Sequence, residues 1–235
     1  MRTSRLICLL SFFVVAAVSP VSAQVDEDDL GAWYMYLWNT RLNDGDSRWG
    51  FQGDGQWRNW DLGGDLEQLL LRGGVTYTPK DWNATFTLGY GNITSGTFGS
   101  SGDTSHEDRT YFEALLPQSL GQRLRLRHRF RYEQRWVDGQ DFRTRFRYAL
   151  FADIPVNGTG MEKGAIYIAL YNELFINRER DIGTAIPVEL FDRNRLYGGV
   201  GYVISNRLKF QGGYMRQATN SLSKDQLQFS VHHSF

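Results

Sequence analysis

From Arg123 to Trp136 the chain reads RLRLRHRFRYEQRW, alternating arginine with apolar or aromatic residues. Successive side chains of an extended strand point to opposite faces. Arg123, Arg125, Arg127, Arg129, Arg131 and Arg135, with Glu133 among them, therefore share one face. Leu124, Leu126, His128, Phe130, Tyr132 and Trp136 share the other. The next segment repeats the pattern with Arg143, Arg145 and Arg147 set against Phe142, Phe146 and Tyr148, and Arg193, Arg195, Arg207 and Lys209 continue it. Such strands divide two environments, one apolar and one able to hold a ladder of guanidinium groups.

Period-two alternation runs through almost every segment from Gly31 onward. It predicts strands over 31–42, 47–60, 65–78, 82–94, 107–119, 122–136, 140–154, 164–176, 193–204, 207–217 and 224–235, with no helix among them. Each is longer than the five or six residues typical of soluble sheets and suits a tilted membrane-spanning strand. Abundant glycine (25) and scarce proline (5) fit many strands joined by tight turns. The breaks NDGD, TPKD, LGQ and SN are short, whereas SGTFGSSGDTSHED and RERDIGTAIPVELFD are long and polar. Outer-membrane barrels pair short periplasmic turns with longer outer loops, and counting back from Phe235 puts both long loops outside. The fold class is thus all-β, a transmembrane antiparallel barrel of about 10–12 strands over residues 24–235. An even number is expected of a closed antiparallel barrel, so the strand over 31–42 sits awkwardly in the count.

The membrane faces carry Trp82, Ala84, Phe86, Leu88 and Tyr90 on one strand and Phe142, Phe146, Tyr148 and Leu150 on another. Aromatics near strand ends, at Trp49, Trp60, Trp82, Trp136, Tyr202 and Phe235, suit interfacial girdles. The competing arrangement is a soluble sandwich of two sheets packed face to face. Residues 1–23 are read as a secretory signal peptide, cationic at Arg2 and Arg5 and apolar from Leu6 to Val18. Cys8, the single cysteine, would leave with it, and the exported chain would have no disulfide or thiol chemistry. The closing QLQFSVHHSF alternates to a terminal aromatic, the expected signal for the barrel-insertion machinery, and its strand would close the barrel, with Phe235 as the closing terminus.

An arginine facing lipid at midplane costs about 2–4 kcal/mol, so the ladder is expected to face the lumen. Two readings follow. One is a narrow, porin-like, anion-preferring filter with Arg123, Arg125, Arg127, Arg129, Arg131, Arg143, Arg145, Arg147, Arg193 and Arg195 as candidate contacts for a small anion. The other is a filled lumen, the arginines paired with Glu67, Glu113, Glu133, Glu173 and Asp153 and with Tyr167, Tyr171 and Tyr197. Strict alternation and a near-neutral formal charge argue against nucleic acid. No catalytic residue, metal or cofactor is called for. Ser230, His232 and Ser234 lie parallel on one face, where a nucleophile and base rarely meet without a third group. His232 and His233 face opposite sides and share no metal. The alternatives retained are a membrane-embedded lipid hydrolase using His128, and an accessory protein for export or anchoring of a surface polymer through loops at 95–106 and 177–192.

RLRHRFRYEQRW, FRTRFRYALFADIP, AIYIALYNELFIN, RNRLYGGVGYVISNRLKFQGGYMRQ and QLQFSVHHSF together resemble an uncharacterised bacterial outer-membrane barrel family, a domain of unknown function. The resemblance is strongest from about residue 107 onward. It implies a Gram-negative type envelope, the outer membrane as location and outer-membrane lipid as partner, and it implies no substrate, catalytic residue or cofactor.

Overall fold

A computed structural model describes residues 30–43, 47–99 and 102–235, so the expected signal peptide over 1–23 lies outside the described residues. Eleven strands follow in order: β1 (Gly31–Arg41), β2 (Trp49–Asn59), β3 (Leu66–Tyr77), β4 (Thr85–Gly96), β5 (Thr104–Leu120), β6 (Leu124–Val137), β7 (Arg143–Pro155), β8 (Ile166–Asn177), β9 (Phe191–Ser205), β10 (Leu208–Ala218) and β11 (Ser223–Ser234). Each strand expected from the alternation is present, displaced by a few residues at its ends. The strands form one closed barrel in which each pairs with its neighbours in sequence. A single closed sheet excludes the two-sheet sandwich.

Closure resolves the awkward count. Up-and-down strands that pair antiparallel all the way round must be even in number; with eleven, the last meets the first in parallel. β1 and β11 do so in register from Gly31↔Gln226 to Asn39↔Ser234. Parallel pairing is slightly less stable per residue than antiparallel, and side chains reinforce this seam on both faces. Outside, Tyr34 stacks on Phe229 at 5.7 Å and the Tyr36 hydroxyl meets His233 Nδ1 at 2.8 Å. Inside, Trp33 and Gln226 both donate to Glu67, at 3.2 and 2.7 Å. At the rim Asn39 Nδ2 donates to Ser234 Oγ at 3.1 Å, and the Phe235 amide donates to the Asn39 carbonyl at 3.0 Å.

Polarity is inverted relative to a sheet that buries an apolar core. Leu71, Leu88, Phe112, Leu196, Val200 and Phe210 stand exposed on the outside, while Glu113, Arg131, Glu133, Arg147, Glu173 and Arg195 are buried inside. Two aromatic rings edge the outer belt. Trp49, Trp82, Tyr202 and Phe235 mark the rim where β11 finishes, here termed the C-terminal rim, and Phe98, Trp136 and Phe142 mark the opposite rim.

Inward-facing glycines let rings lie against the wall. A Cβ on Gly89 would sit 2.2 Å from the Tyr111 ring, and one on Gly201 2.0 Å from that of Tyr167. Connections 97–103 and 178–190 both leave the opposite rim, as the count back from Phe235 requires, but 156–165 at the C-terminal rim is also long. Loop length alone therefore does not tell the rims apart. The segment 178–190 folds back on the β6–β7 connection, where the Asp141 amide donates to the Ile182 carbonyl at 2.8 Å. Glu179 accepts from the Thr144 amide at 2.7 Å and from its hydroxyl. Partial burial works to raise the Glu179 carboxyl, but those hydrogen bonds outweigh it and hold it below its ordinary value.

Candidate functional site: the lumen

β5, β6 and β7 supply one wall of the lumen, and their period-two cations and carboxylates meet across strands. Register places Glu113 opposite Arg131 and Glu133 opposite Arg145. The centre of this wall is Glu133, with no exposed surface. Its carboxylate lies 2.6 Å from Arg147, 2.8 Å from Arg145, 3.5 Å from Arg109 and 3.8 Å from Arg131. Each of those arginines reaches a second carboxylate: Glu173 for Arg147 at 2.6 Å, Asp192 for Arg145 at 2.6 Å, Glu107 for Arg109 at 2.6 Å and Glu113 for Arg131 at 2.5 Å. The result is a lattice in which every acid is shared. Taking so many charges out of water is tolerable only when their donors and lone pairs are largely matched.

The other wall, from β8 to β10 and β1, is aromatic and apolar. Trp33, Tyr167, Ala169, Tyr197, Val203 and Met215 form one buried cluster. Phe151, Tyr171 and Tyr197 continue it as a series of rings, 5.5 and 4.9 Å apart. Guanidinium groups lie on aromatic faces throughout: Arg131 over Tyr111 at 4.3 Å within the ionic wall, Arg147 over Phe175 at 4.4 Å where the two walls meet, and Arg58 over Trp33 at 3.7 Å beside β1. These are cation–π distances.

The two halves of the lumen differ. Toward the opposite rim, Glu107, Arg109, Glu133, Arg135, Arg143, Arg145 and Phe175 fill the section with buried side chains. A cavity of about 250 Å³ remains, lined near the C-terminal rim by Trp38, Asn39, Arg127 and His232 and reaching along β1 and β2 as far as Trp33 and Arg58. Arg58, Arg72, Arg127, Arg129, Arg131, Arg147 and Arg195 line it, against Asp54, Glu113, Asp153 and Glu173. All four acids are already engaged: Asp54 with Arg72 at 2.9 Å, Asp153 with Arg127 at 2.9 Å, Glu113 with Arg131, and Glu173 with Arg129 and Arg147. Positive charge is left over.

The candidate contacts separate accordingly. Arg127, Arg129, Arg131, Arg145, Arg147 and Arg195 belong to the lattice or the cavity wall. Arg193 pairs with Asp192 at 3.1 Å near the opposite rim. Arg143 is buried with no ion pair among the described residues, and its Nε has no hydrogen-bond partner. Arg125 stays at the C-terminal rim, donating to Ser119 Oγ and to the Gln122 and Thr159 carbonyls. Arg123 is exposed in the β5–β6 turn, outside the ladder its spacing suggested, because β6 begins one residue later. Of the expected acids, Glu113, Glu133, Glu173 and Asp153 pair with arginines, whereas Glu67 pairs with Lys224 at 3.4 Å. Alternation did not single out Asp54, Glu107 or Asp192. Asp54 and Glu107 carry only the signal that each lies an even number of residues from an inward arginine on its own strand, Arg58 and Arg109, whereas Asp192 lies an odd number from Arg195 and only the bulge beside it brings the two to one face.

Histidines complete the inventory. His128 is on the outside, its ring nitrogens engaged by the Tyr148 hydroxyl at 2.9 Å and Gln118 Oε1 at 3.1 Å. His232 is on the inside, and its Nε2 does meet Ser230 Oγ, at 2.9 Å, a contact that the parallel directions argued against. Among the described residues no carboxylate is hydrogen-bonded to His232, so the pair lacks the third member of a nucleophilic triad.

Residues 30–228 match the model of a family described as Protein of unknown function (DUF2490). No curated protein matches the chain.

Proposed function

Since the chain belongs to the DUF2490 family, a barrel family without an assigned activity, we propose its role from the lumen: an integral outer-membrane barrel that is shut toward one rim and open as a basic vestibule at the other. The observation that carries this is the inverted polarity, charge within and a belt of exposed aliphatic and aromatic residues without. In water that belt would be a very large apolar patch, far beyond what monomeric soluble proteins expose. In lipid it is the expected surface, edged at both ends by aromatic side chains. A closed sheet also leaves no backbone edge unpaired in hydrocarbon. In this reading the barrel sits with its C-terminal rim toward the periplasm.

The filled half argues against a free-flowing pore. An ion following the axis would meet the Glu133 lattice, whose carboxylates are each held by at least two arginines, and aromatic rings packed on the guanidinium groups. The protein should therefore stay folded in unheated detergent, migrate differently on a gel after boiling, and conduct almost nothing in a planar bilayer. Recovery from the soluble periplasmic fraction with unchanged migration would overturn the membrane reading. Steady anion-selective conductance that disappears on replacing Arg145 and Arg147 with glutamine would overturn the occlusion.

A further inference from the structure

The vestibule has features that filling alone does not explain. Its two walls are chemically unlike, and they converge on one ring. Phe151 has the Arg127 guanidinium 5.3 Å and the Arg129 guanidinium 5.1 Å from its centroid on the ionic side, and Tyr171 at 5.5 Å on the aromatic side. Arg127 is itself half exposed to the vestibule and holds a single acid, Asp153. Across the mouth, Lys209 lies opposite His232 in the β10–β11 pairing and makes no ion pair among the described residues. Arg127, Asp153 and His232 line the cavity itself, and Lys209 stands beside them through its pairing with His232.

An excess of donors points the same way. Arg127 Nε, Arg129 Nε and Arg131 Nη1, from three successive inward positions of β6, are buried without a hydrogen-bond acceptor, the latter two with Glu113 and Glu133, respectively, no nearer than 3.8 Å. Buried donors in folded proteins are nearly always matched, and seven arginines line the cavity against four acids, so its wall is under-supplied with negative oxygen. The ligand class that would meet both walls carries an oxyanion head for the arginines and a flat apolar body for the rings. Guanidinium forks suit carboxylate and phosphate heads, and pockets of a few hundred Å³ with apolar lining and a few placed polar groups are typical small-molecule sites.

We propose that the vestibule binds a small organic oxyanion, a carboxylate or phosphate monoester with a planar or apolar body, its head between Arg127 and Lys209 and its body against Phe151 and Tyr171. The inference rests on the proposed occlusion, because a through-pore would pass such an anion rather than retain it. Entry is from the C-terminal rim.

The test is calorimetric titration of the full-length chain, folded in detergent micelles, with phenyl phosphate and separately with benzoate. Inorganic phosphate supplies the head alone and phenol the body alone. Saturable 1:1 binding of phenyl phosphate or benzoate is expected, the tighter of the two identifying the preferred head. Inorganic phosphate should bind about tenfold or more weaker and phenol not saturably. Lys209→Met, which breaks no ion pair, should weaken binding about tenfold, the scale of one charge-assisted hydrogen bond. Arg127→Gln made together with Asp153→Asn, so that no acid is stranded, should do the same. Phe151→Leu should weaken phenyl phosphate while leaving inorganic phosphate unchanged. Gel migration before boiling confirms that each variant is folded. Absence of saturable binding by either organic anion, equal binding by phenol, or unchanged affinity in both charge variants would overturn the proposal. A silent bilayer recording with no binding sinks the vestibule site and leaves the occluded barrel standing. A conducting protein sinks the occlusion first.

Discussion

Replacing Glu133 with glutamine isolates what the buried lattice contributes, because the side chain keeps its size and loses only its charge. In the native barrel this carboxylate has no exposed surface and faces four guanidinium groups, two of them within 2.8 Å. Breaking a buried ion pair by removing one partner costs about 3–5 kcal/mol. Two effects act on that figure. Four cations converging on a neutral amide repel one another, which raises the cost. Each of them retains a second acid, among Glu107, Glu113, Asp192 and Glu173, which lowers it. The expected loss is about 4 kcal/mol. Glu189→Gln is the matched control. Its Arg180 partner lies 3.8 Å away with both side chains mostly exposed, and an exposed pair is worth about 1 kcal/mol or less. Urea unfolding of the protein in lipid vesicles, followed by tryptophan fluorescence, measures both. Pairing Glu133→Gln with Arg147→Met should recover part of the loss, because one crowding charge goes with the acid. A Glu133→Gln loss no larger than that of Glu189→Gln would refute the claim that the lattice is dry and mutually committed.

Two further outcomes follow from the wall itself. Gly213→Ala should destabilise the barrel by about 1–3 kcal/mol in the same unfolding assay, because a Cβ there would lie 2.4 Å from the Gly198 carbonyl oxygen and 2.5 Å from Gly199 Cα, whereas Gly73→Ala, with nothing within 4 Å, should change little. Asn39→Cys together with Ser234→Cys should form a disulfide on mild oxidation, since the two residues are register partners in the parallel seam, whereas Asn39→Cys with His232→Cys should not. A faster-migrating oxidised band in the second pair instead of the first would mean that the register of the seam is wrong.

Much of the barrel was legible because lumen and belt impose opposite demands on alternate residues. Arg125 to Arg135 could only be read as one face of a strand, and that orientation also fixed the faces of β5 and β7 beside it. The partners of the ladder were less legible. Whether Arg145 meets Asp192 or Arg109 meets Glu133 depends on the stagger between strands and on reach across the lumen, neither of which a period of two encodes. The bulge between Phe175 and Ile176 in the β8–β9 pairing shifts the register beside Asp192, and no residue pattern announced it. Parity was misread because antiparallel neighbours were assumed all the way round. Nothing in the sequence of β1 distinguishes a strand that closes in parallel from one that lacks a partner. The division of the lumen into a filled half and a vestibule was equally hidden, since arginines of both halves alternate with the same apolar neighbours.

The parallel seam also sets how the barrel carries load. In a tube with an even number of up-and-down strands, the start of the first and the end of the last emerge at the same rim, and tension between them peels the seam one hydrogen bond at a time. Here Gly31 and Ser234 stand at opposite rims. Tension along the axis would drag β1 and β11 past each other in shear, loading every rung from Gly31↔Gln226 to Asn39↔Ser234 at once. The pairing that is weaker per residue at rest is thus placed in the geometry that resists pulling best.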